Sequence, residues 1–320
     1  MFEQQKASIK LIVALLVMLT MCYSQSIDDM IKGPLLGFTF VPDVGKFDVS
    51  MSYVTQSANS AFNDKGKEIS FNDNFDGLAD PELSQSAILF SGDYAINNAT
   101  GVSIYAPFIS SQSIDWNPAS GYEEYFENAN GETGLGDISI SAWYQILKDN
   151  KTSIQVAAEY QLATGSSPED VSESSVSSTG SGHTSMRAGI GGDFITIPKV
   201  LFSARGSFTV NQEAAFSSDG YSWDEKEGSE LSFSGRASLL ASPQLSIGID
   251  VDYFSAGESE LDGETIDGSE SNFMAMTPMV GYKFVSGTTT ASVSGGYLLM
   301  IAGDNFPKST GMVIGVTAFF

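Results

Sequence analysis

TGMVIGVTAFF, Thr310 to Phe320, ends the chain. Stepping back by twos from Phe320 gives Ala318, Val316, Ile314 and Met312, all apolar. The alternate set, Phe319, Thr317, Gly315, Val313 and Gly311, is mostly small or polar. Period-two alternation marks a strand with one apolar face. A final strand that ends its apolar face on an aromatic suits the closing strand of an outer-membrane β-barrel, with the ring at the membrane interface. A soluble sandwich can end the same way, so the rest of the chain has to decide.

The opposite end fits the same reading. Lys6 and Lys10 precede an apolar run from Leu11 to Thr20, followed by Met21-Cys22-Tyr23-Ser24 and polar Gln25. This is the layout of a secretory signal peptide, and it is too short to cross a bilayer as a helix. We expect residues 1–24 to be removed, 25–45 to form an N-terminal segment able to plug the lumen, and 46–320 to form the barrel. Cys22, the sole cysteine, leaves with the signal, so the mature chain has no disulfide or thiolate site. A lipoprotein anchor on Cys22 is the alternative, but the bulky Met21 stands where such processing favours a small residue. No later stretch reaches the length of a transmembrane helix. A membrane-embedded chain of this kind has to close its sheet, because lipid cannot satisfy an open edge.

Alternation recurs along the whole chain. Phe47, Val49, Met51 and Tyr53 share one face, with Asp48, Ser50 and Ser52 on the other. Further strands follow around Ile88–Ile96, Val102–Phe108, Ile138–Ile146, Ile154–Leu162, Met186–Phe194, Val200–Val210, Leu231–Leu239, Leu245–Tyr253, Met274–Phe284, Thr288–Met300 and the terminal stretch. The fold class expected is all-β: a transmembrane antiparallel up-and-down β-barrel of about 12 strands. Links after even-numbered strands are short, at Asn97–Gly101, Lys148–Lys151, Pro198, Ser242-Pro243 and Ser286-Gly287. Those after odd-numbered strands, the eleventh included, read as long and polar. Long loops on one rim and short turns on the other fit a barrel with both termini in the periplasm. A sandwich does not require this segregation, and a β-helix would show a fixed short repeat.

The formal net charge is −24, from 39 acids and 15 bases. Five stretches, Ser57–Glu82, Ser111–Thr133, Thr164–Gly182, Gln212–Gly228 and Gly257–Ser271, carry −22 of it. Such a surface repels nucleic acid, which needs clustered Lys and Arg. The partners expected are outer-membrane lipids, the barrel assembly machinery during insertion, and an unidentified small solute.

Thr133-Gly134-Leu135-Gly136-Asp137-Ile138 opens the fourth strand. There, at Val41–Phe47 and at Gly101–Phe108, the chain resembles the outer-membrane barrels of the meta-pathway of phenol degradation transporter family. The resemblance implies a channel or uptake barrel for small molecules, apolar or aromatic ones included. Gly134-Leu135-Gly136 is not a dinucleotide fingerprint, since it opens a strand and lacks the third glycine. Its glycines bend the backbone at the rim while Asp137 ties down the loop.

With the apolar set outward, the inward set carries Glu159, Arg187, Asp193, Arg205, Arg236, Asp250, Asp252 and Lys283 as lumen-lining candidates. They form either a charged constriction, with Arg187, Arg205 and Arg236 as a basic wall near Asp250 and Asp252, or an internal ion-pair network that fills the barrel. No catalytic, cofactor or metal set emerges. His183, the lone histidine, reads as a rim residue; an embedded lipid hydrolase would need it at membrane level beside an aligned serine. Asn72, Asn74, Asp76 and Gly77 imitate the start of a calcium loop, but position twelve falls on Leu83 and solvated loops are expected. The function expected is passive solute uptake through an outer-membrane channel, the alternative a surface-interaction barrel with a closed lumen.

Overall fold

The computed structural model describes residues 44–149, 151–167, 169, 171, 177–197, 200–218, 221–242, 244–286 and 289–320. The expected signal peptide and nearly all of the N-terminal segment lie outside them. Twelve strands build the wall. They are β1 Phe47–Phe62, β2 Glu82–Ala95, β3 Thr100–Asp115, β4 Ile138–Lys148, β5 Thr152–Leu162 and β6 Ser185–Ile197. The wall continues with β7 Val200–Asn211, β8 Glu230–Leu240, β9 Leu245–Ala256, β10 Ser271–Ser286, β11 Thr289–Asp304 and β12 Phe306–Phe319. Each pairs antiparallel with its sequence neighbours, and β12 closes on β1.

Closure runs from Asp48↔Phe319 to Phe62↔Phe306, with one register shift between Ala58 and Ala61. Beyond the last paired residue, the Phe320 backbone N–H donates to the Phe47 carbonyl at 3.0 Å, and the two rings stack with centroids 5.0 Å apart. The terminal aromatic therefore locks the seam.

Burial is inverted relative to a water-soluble protein. Ile314 is 54% exposed and Met51 48%, whereas Asp48 is 3% and Thr317 7% exposed. The strand periodicity sends apolar side chains outward and polar ones inward, as a bilayer demands. Strands of 11 to 16 residues rise about 3.3 Å per residue, enough to cross an apolar band about 25 Å tall when tilted. Exposed Phe47, Tyr94, Tyr144, Tyr282 and Phe320 ring the end with the short turns, and Phe108, Phe208, Phe233 and Tyr297 stand toward the other. These are the two aromatic girdles of an outer-membrane barrel, so the chain is a protein of the bacterial outer membrane, bathed in its lipids.

Two expectations are corrected. The link after the eleventh strand is not a long loop: Asn305 alone separates β11 from β12. Asn305 takes φ +49°, a conformation asparagine tolerates in tight turns. Pro307, which reads as a loop residue, sits fully buried in β12. The acidic loops after β7 and β9 are also not simply solvated. Ala214–Ser218 and Tyr221–Lys226 form a hairpin that pairs with Glu260–Leu261, which pairs in turn with Glu264–Thr265. Phe216 gives this sheet a buried anchor, with its ring 5.8 Å from that of Trp223.

Gly101 lies across from Trp143 on β4, and a Cβ there would collide with the Trp143 ring and the Tyr94 carbonyl. Gly101→Ala is expected to cost about 1–3 kcal/mol through overpacking, read as a lower urea midpoint for the barrel folded in liposomes. Deleting Phe320 should slow insertion, visible as loss of the heat-modifiable band on gels; normal insertion would show that the seam does not need this ring.

Candidate functional site: the lumen

Register decides which inward side chains meet. Following cross-strand partners from β1 to β8 traces one line: Asp48, Asp93, Ser103, Ser141, Glu159, Arg187, Thr209 and Glu230. Every member is polar, and bonds run along it. The Asp93 backbone N–H donates to Asp48 Oδ1 at 3.2 Å, and the Ser103 hydroxyl donates to Asp93. Arg187 Nη1 pairs with Glu159 at 3.2 Å, its Nε donates to Thr209 Oγ1 at 2.9 Å, and its Nη2 lies 3.7 Å from Glu230. A second line runs Gln155, Gly191, Arg205, Ser234 and Asp252, and a third Ser153, Asp193, Ser203, Arg236 and Asp250. In the third, Arg236 forks onto Asp250 through Nε–Oδ1 and Nη2–Oδ2 contacts of 2.6 Å each, both side chains being buried.

All eight lumen candidates thus face inward, Lys283 between exposed Tyr282 and Phe284. They do not assemble as expected. Arg187, Arg205 and Arg236 fall on three different lines, and Arg187 and Arg236 each hold carboxylates of their own. There is no single basic wall, because the stagger between adjacent strands brings an acid beside each of these two. Of the eight, Glu159, Arg187 and Arg205 line a lumenal cavity of about 220 Å³ bounded by β1–β7, β11 and β12.

That cavity reveals two groups outside the candidate set, Asp48 and Asp93. Parity was sufficient to find them, since Asp48 alternates with Phe47 and Val49 and Asp93 precedes outward Tyr94. Among the described residues, the inward charges along the strands are then seven carboxylates (Asp48, Asp93, Glu159, Asp193, Glu230, Asp250 and Asp252) against Arg187, Arg205, Arg236 and Lys283. The cavity also meets Leu89, Tyr105 and Trp143 and a run of serines.

Toward the loops the interior becomes apolar. Phe62, Phe254, Phe273, Leu298, Met300 and Phe306 pack together inside β1 and β9–β12. Val54, Ala87, Leu89 and Ile109, with Tyr105 and Val313 against them, line β1–β3. Between this second cluster and the rim runs a glutamine ladder, with Gln56 opposite Gln85 and Gln85 opposite Gln112. Gln85 Nε2 donates to Gln112 Oε1 at 2.9 Å. Gln112 Nε2 donates to the carbonyls of Glu132 and Ser178 at 3.0 and 2.9 Å, fastening two loops to the inner wall.

Asp137 is the main clamp of that cap. Its Oδ1 accepts the backbone N–H groups of Thr164 and Gly165 at 3.0 Å each; its Oδ2 accepts the Ser181 N–H at 2.8 Å and hydroxyl at 3.0 Å. Gly134 (φ +150°) provides the bend, and a Cβ on Gly180 would press on Asp137 at 2.5 Å. Beneath the outer sheet His183, 1% exposed, holds Nδ1 3.2 Å from the Gln212 carbonyl and its ring 5.2 Å from Phe216. Burial drives its pKa down, so it is packed as a neutral ring. It sits inside the cap and not on the lipid-facing wall. Asn72 to Gly77 form a short helix, Phe71–Asn74, capped by Ser70, and the turn after it, where the Asn72 carbonyl accepts the N–H groups of Phe75 and Gly77.

Two outcomes test the cap. Asp137→Ala removes four bonds to a carboxylate, each worth about 1.5–3 kcal/mol, and should open Thr164–Ser181 to protease on intact cells while the barrel stays heat-modifiable. Burial pushes the Glu225 carboxyl up. Its folded pKa exceeds its unfolded one, so the cap loses stability as pH rises through the folded value. Glu225→Gln should therefore slow proteolysis of 212–228 at pH 8 and leave it unchanged at pH 4; equal effects at both would contradict the assignment.

The family model described as "Putative MetA-pathway of phenol degradation" matches residues 111–314. No curated protein matches in sequence. Among solved structures, the COG4313 outer membrane channel from Pseudomonas putida F1 superposes with a TM-score of 0.70 at 15% identity, covering 90% of this chain and 99% of that one. The KdgM porin covers 85% of this chain and 99% of its own at a TM-score of 0.41 and 12% identity.

Proposed function

The chain belongs to the MetA-pathway of phenol degradation family, and on that premise we propose that it is a passive outer-membrane channel for small solutes. The observation that carries the reading is the inner wall. A barrel that served only as a scaffold would gain most from a packed apolar interior, yet β1–β8 carry an unbroken polar line whose members from Asp48 to Arg187 border a cavity. The apolar surfaces above it at Phe62 and Phe306, with Leu89 and Tyr105 in its own wall, favour solutes with an apolar or aromatic body. The chain acts by passage and not by catalysis, in keeping with a histidine packed away inside the cap. The exposed seam strand, ending on Phe320, is the element offered to the barrel assembly machinery during insertion.

A second reading has an observation of its own. The outer sheet and the Asp137 clamp close the loop end, which suits a surface-interaction barrel whose loops meet a partner. Single-channel recording in planar bilayers separates the two. The channel reading expects discrete conductance that rises in Asp137→Ala; no conductance in either protein would leave the surface reading ahead.

Register also sharpens the selectivity expected. Arg205→Gln should shift reversal potentials toward cations, because Arg205 borders the cavity. Arg236→Gln should leave selectivity nearly unchanged and instead destabilise the barrel by about 3–5 kcal/mol, the cost of stranding buried Asp250.

A further inference from the structure

Asp48 and Asp93 stand apart from the other lumenal acids. Glu159 and Glu230 hold Arg187, and Asp250 holds Arg236. By contrast β1, β2 and β3 contain no Lys, Arg or His at all. The two aspartates are direct cross-strand partners, and Asp48 is 3% exposed. The Asp93 backbone N–H donates to Asp48 and the Ser103 hydroxyl to Asp93, and neither donor neutralises a carboxylate. They face a cavity whose wall also offers Leu89 and Tyr105. Two adjacent carboxylates in a low-dielectric lumen repel strongly, so the empty pair keeps a proton between them, and a positive group placed there lets both carry charge.

From this geometry we infer that Asp48 and Asp93 recognise the ammonium group of a small organic cation, its apolar body lying against Leu89 and Tyr105. The inference deepens the channel reading and rests on it for its transport meaning. Size agrees: a cavity of about 150 Å³ holds benzene, so about 220 Å³ takes a ring bearing an aminomethyl arm. An anion of the same shape meets the acidic pair unfavourably, and a neutral analogue brings it no counter-charge. The tyrosine ring face adds an attraction for the cation.

The test uses the folded barrel in detergent, with benzylamine (protonated at pH 7), benzyl alcohol and benzoate as probes in titration calorimetry. Benzylamine is expected to bind at least tenfold more tightly than either of the others, and Asp48→Asn/Asp93→Asn to abolish that preference. Asp93→Asn alone, which keeps an acceptor for Ser103, should reduce it several-fold; heat-modifiable mobility confirms that each variant is folded. Equal binding of the three probes, or a preference that survives the double substitution in a folded barrel, would overturn the inference. Bilayer recording distinguishes the two readings: a barrel that binds benzylamine without conducting removes the channel and leaves the site, whereas one that conducts without preferring benzylamine removes only the site.

Discussion

Everything in this molecule depends on the β1–β12 seam. A sheet in hydrocarbon cannot present unpaired N–H and C=O groups, each of which costs several kcal/mol. The first and last strands therefore have to find each other across the whole length of the barrel. They do so in a register that runs from Asp48↔Phe319 to Phe62↔Phe306. Once that register is set, the number of strands and their stagger fix which inward residue lies beside which. The lumen's chemistry is thus a by-product of how the wall closes.

Where the wall allows it, charge is placed against charge. The Arg236–Asp250 fork and the Glu159–Arg187–Glu230 group satisfy buried ionic groups without water, as an interior of low dielectric requires. Beyond them lie apolar clusters and a cap held by Asp137. The interior is accordingly zoned. Apolar packing fills the loop end inside β1 and β9–β12, paired charge runs from the middle of β8 and β9 to the loop end of β5, β6 and β8, and a pair of aspartates without a basic partner marks the start of β1 and the end of β2.

The barrel was legible in the sequence because a two-sided strand leaves a period that needs no knowledge of its neighbours. Phe47, Val49 and Met51 against Asp48 and Ser50 reveal the inward face at once. Register leaves no such mark. Arg187, Arg205 and Arg236 share inward parity and sit on successive strands, yet parity does not tell that Arg187 falls opposite Glu159 and Arg236 opposite Asp250. The single-residue turn at Asn305 was hidden for a related reason: Gly303, Asn305 and Pro307 all carry loop propensity, and only pairing with β10 and β1 holds Gly303 and Pro307 in the strands on either side of the turn. Asp137 stands out as a clamp only by the company of its glycines, and its partners 27 to 44 residues away are beyond local pattern.

The line from Asp48 to Glu230 crosses seven gaps between strands. At about 4.8 Å per gap it is roughly 34 Å long, against an apolar band about 25 Å tall. Because the strands tilt, the line also climbs obliquely around the wall, starting near the short turns on β1 and finishing near the loops on β8. A solute handed from one polar group to the next would therefore descend as along a screw thread, turning about the barrel axis while it advances. Such a track is longer than the apolar band is tall, and it divides the crossing into many shallow steps in place of one deep well.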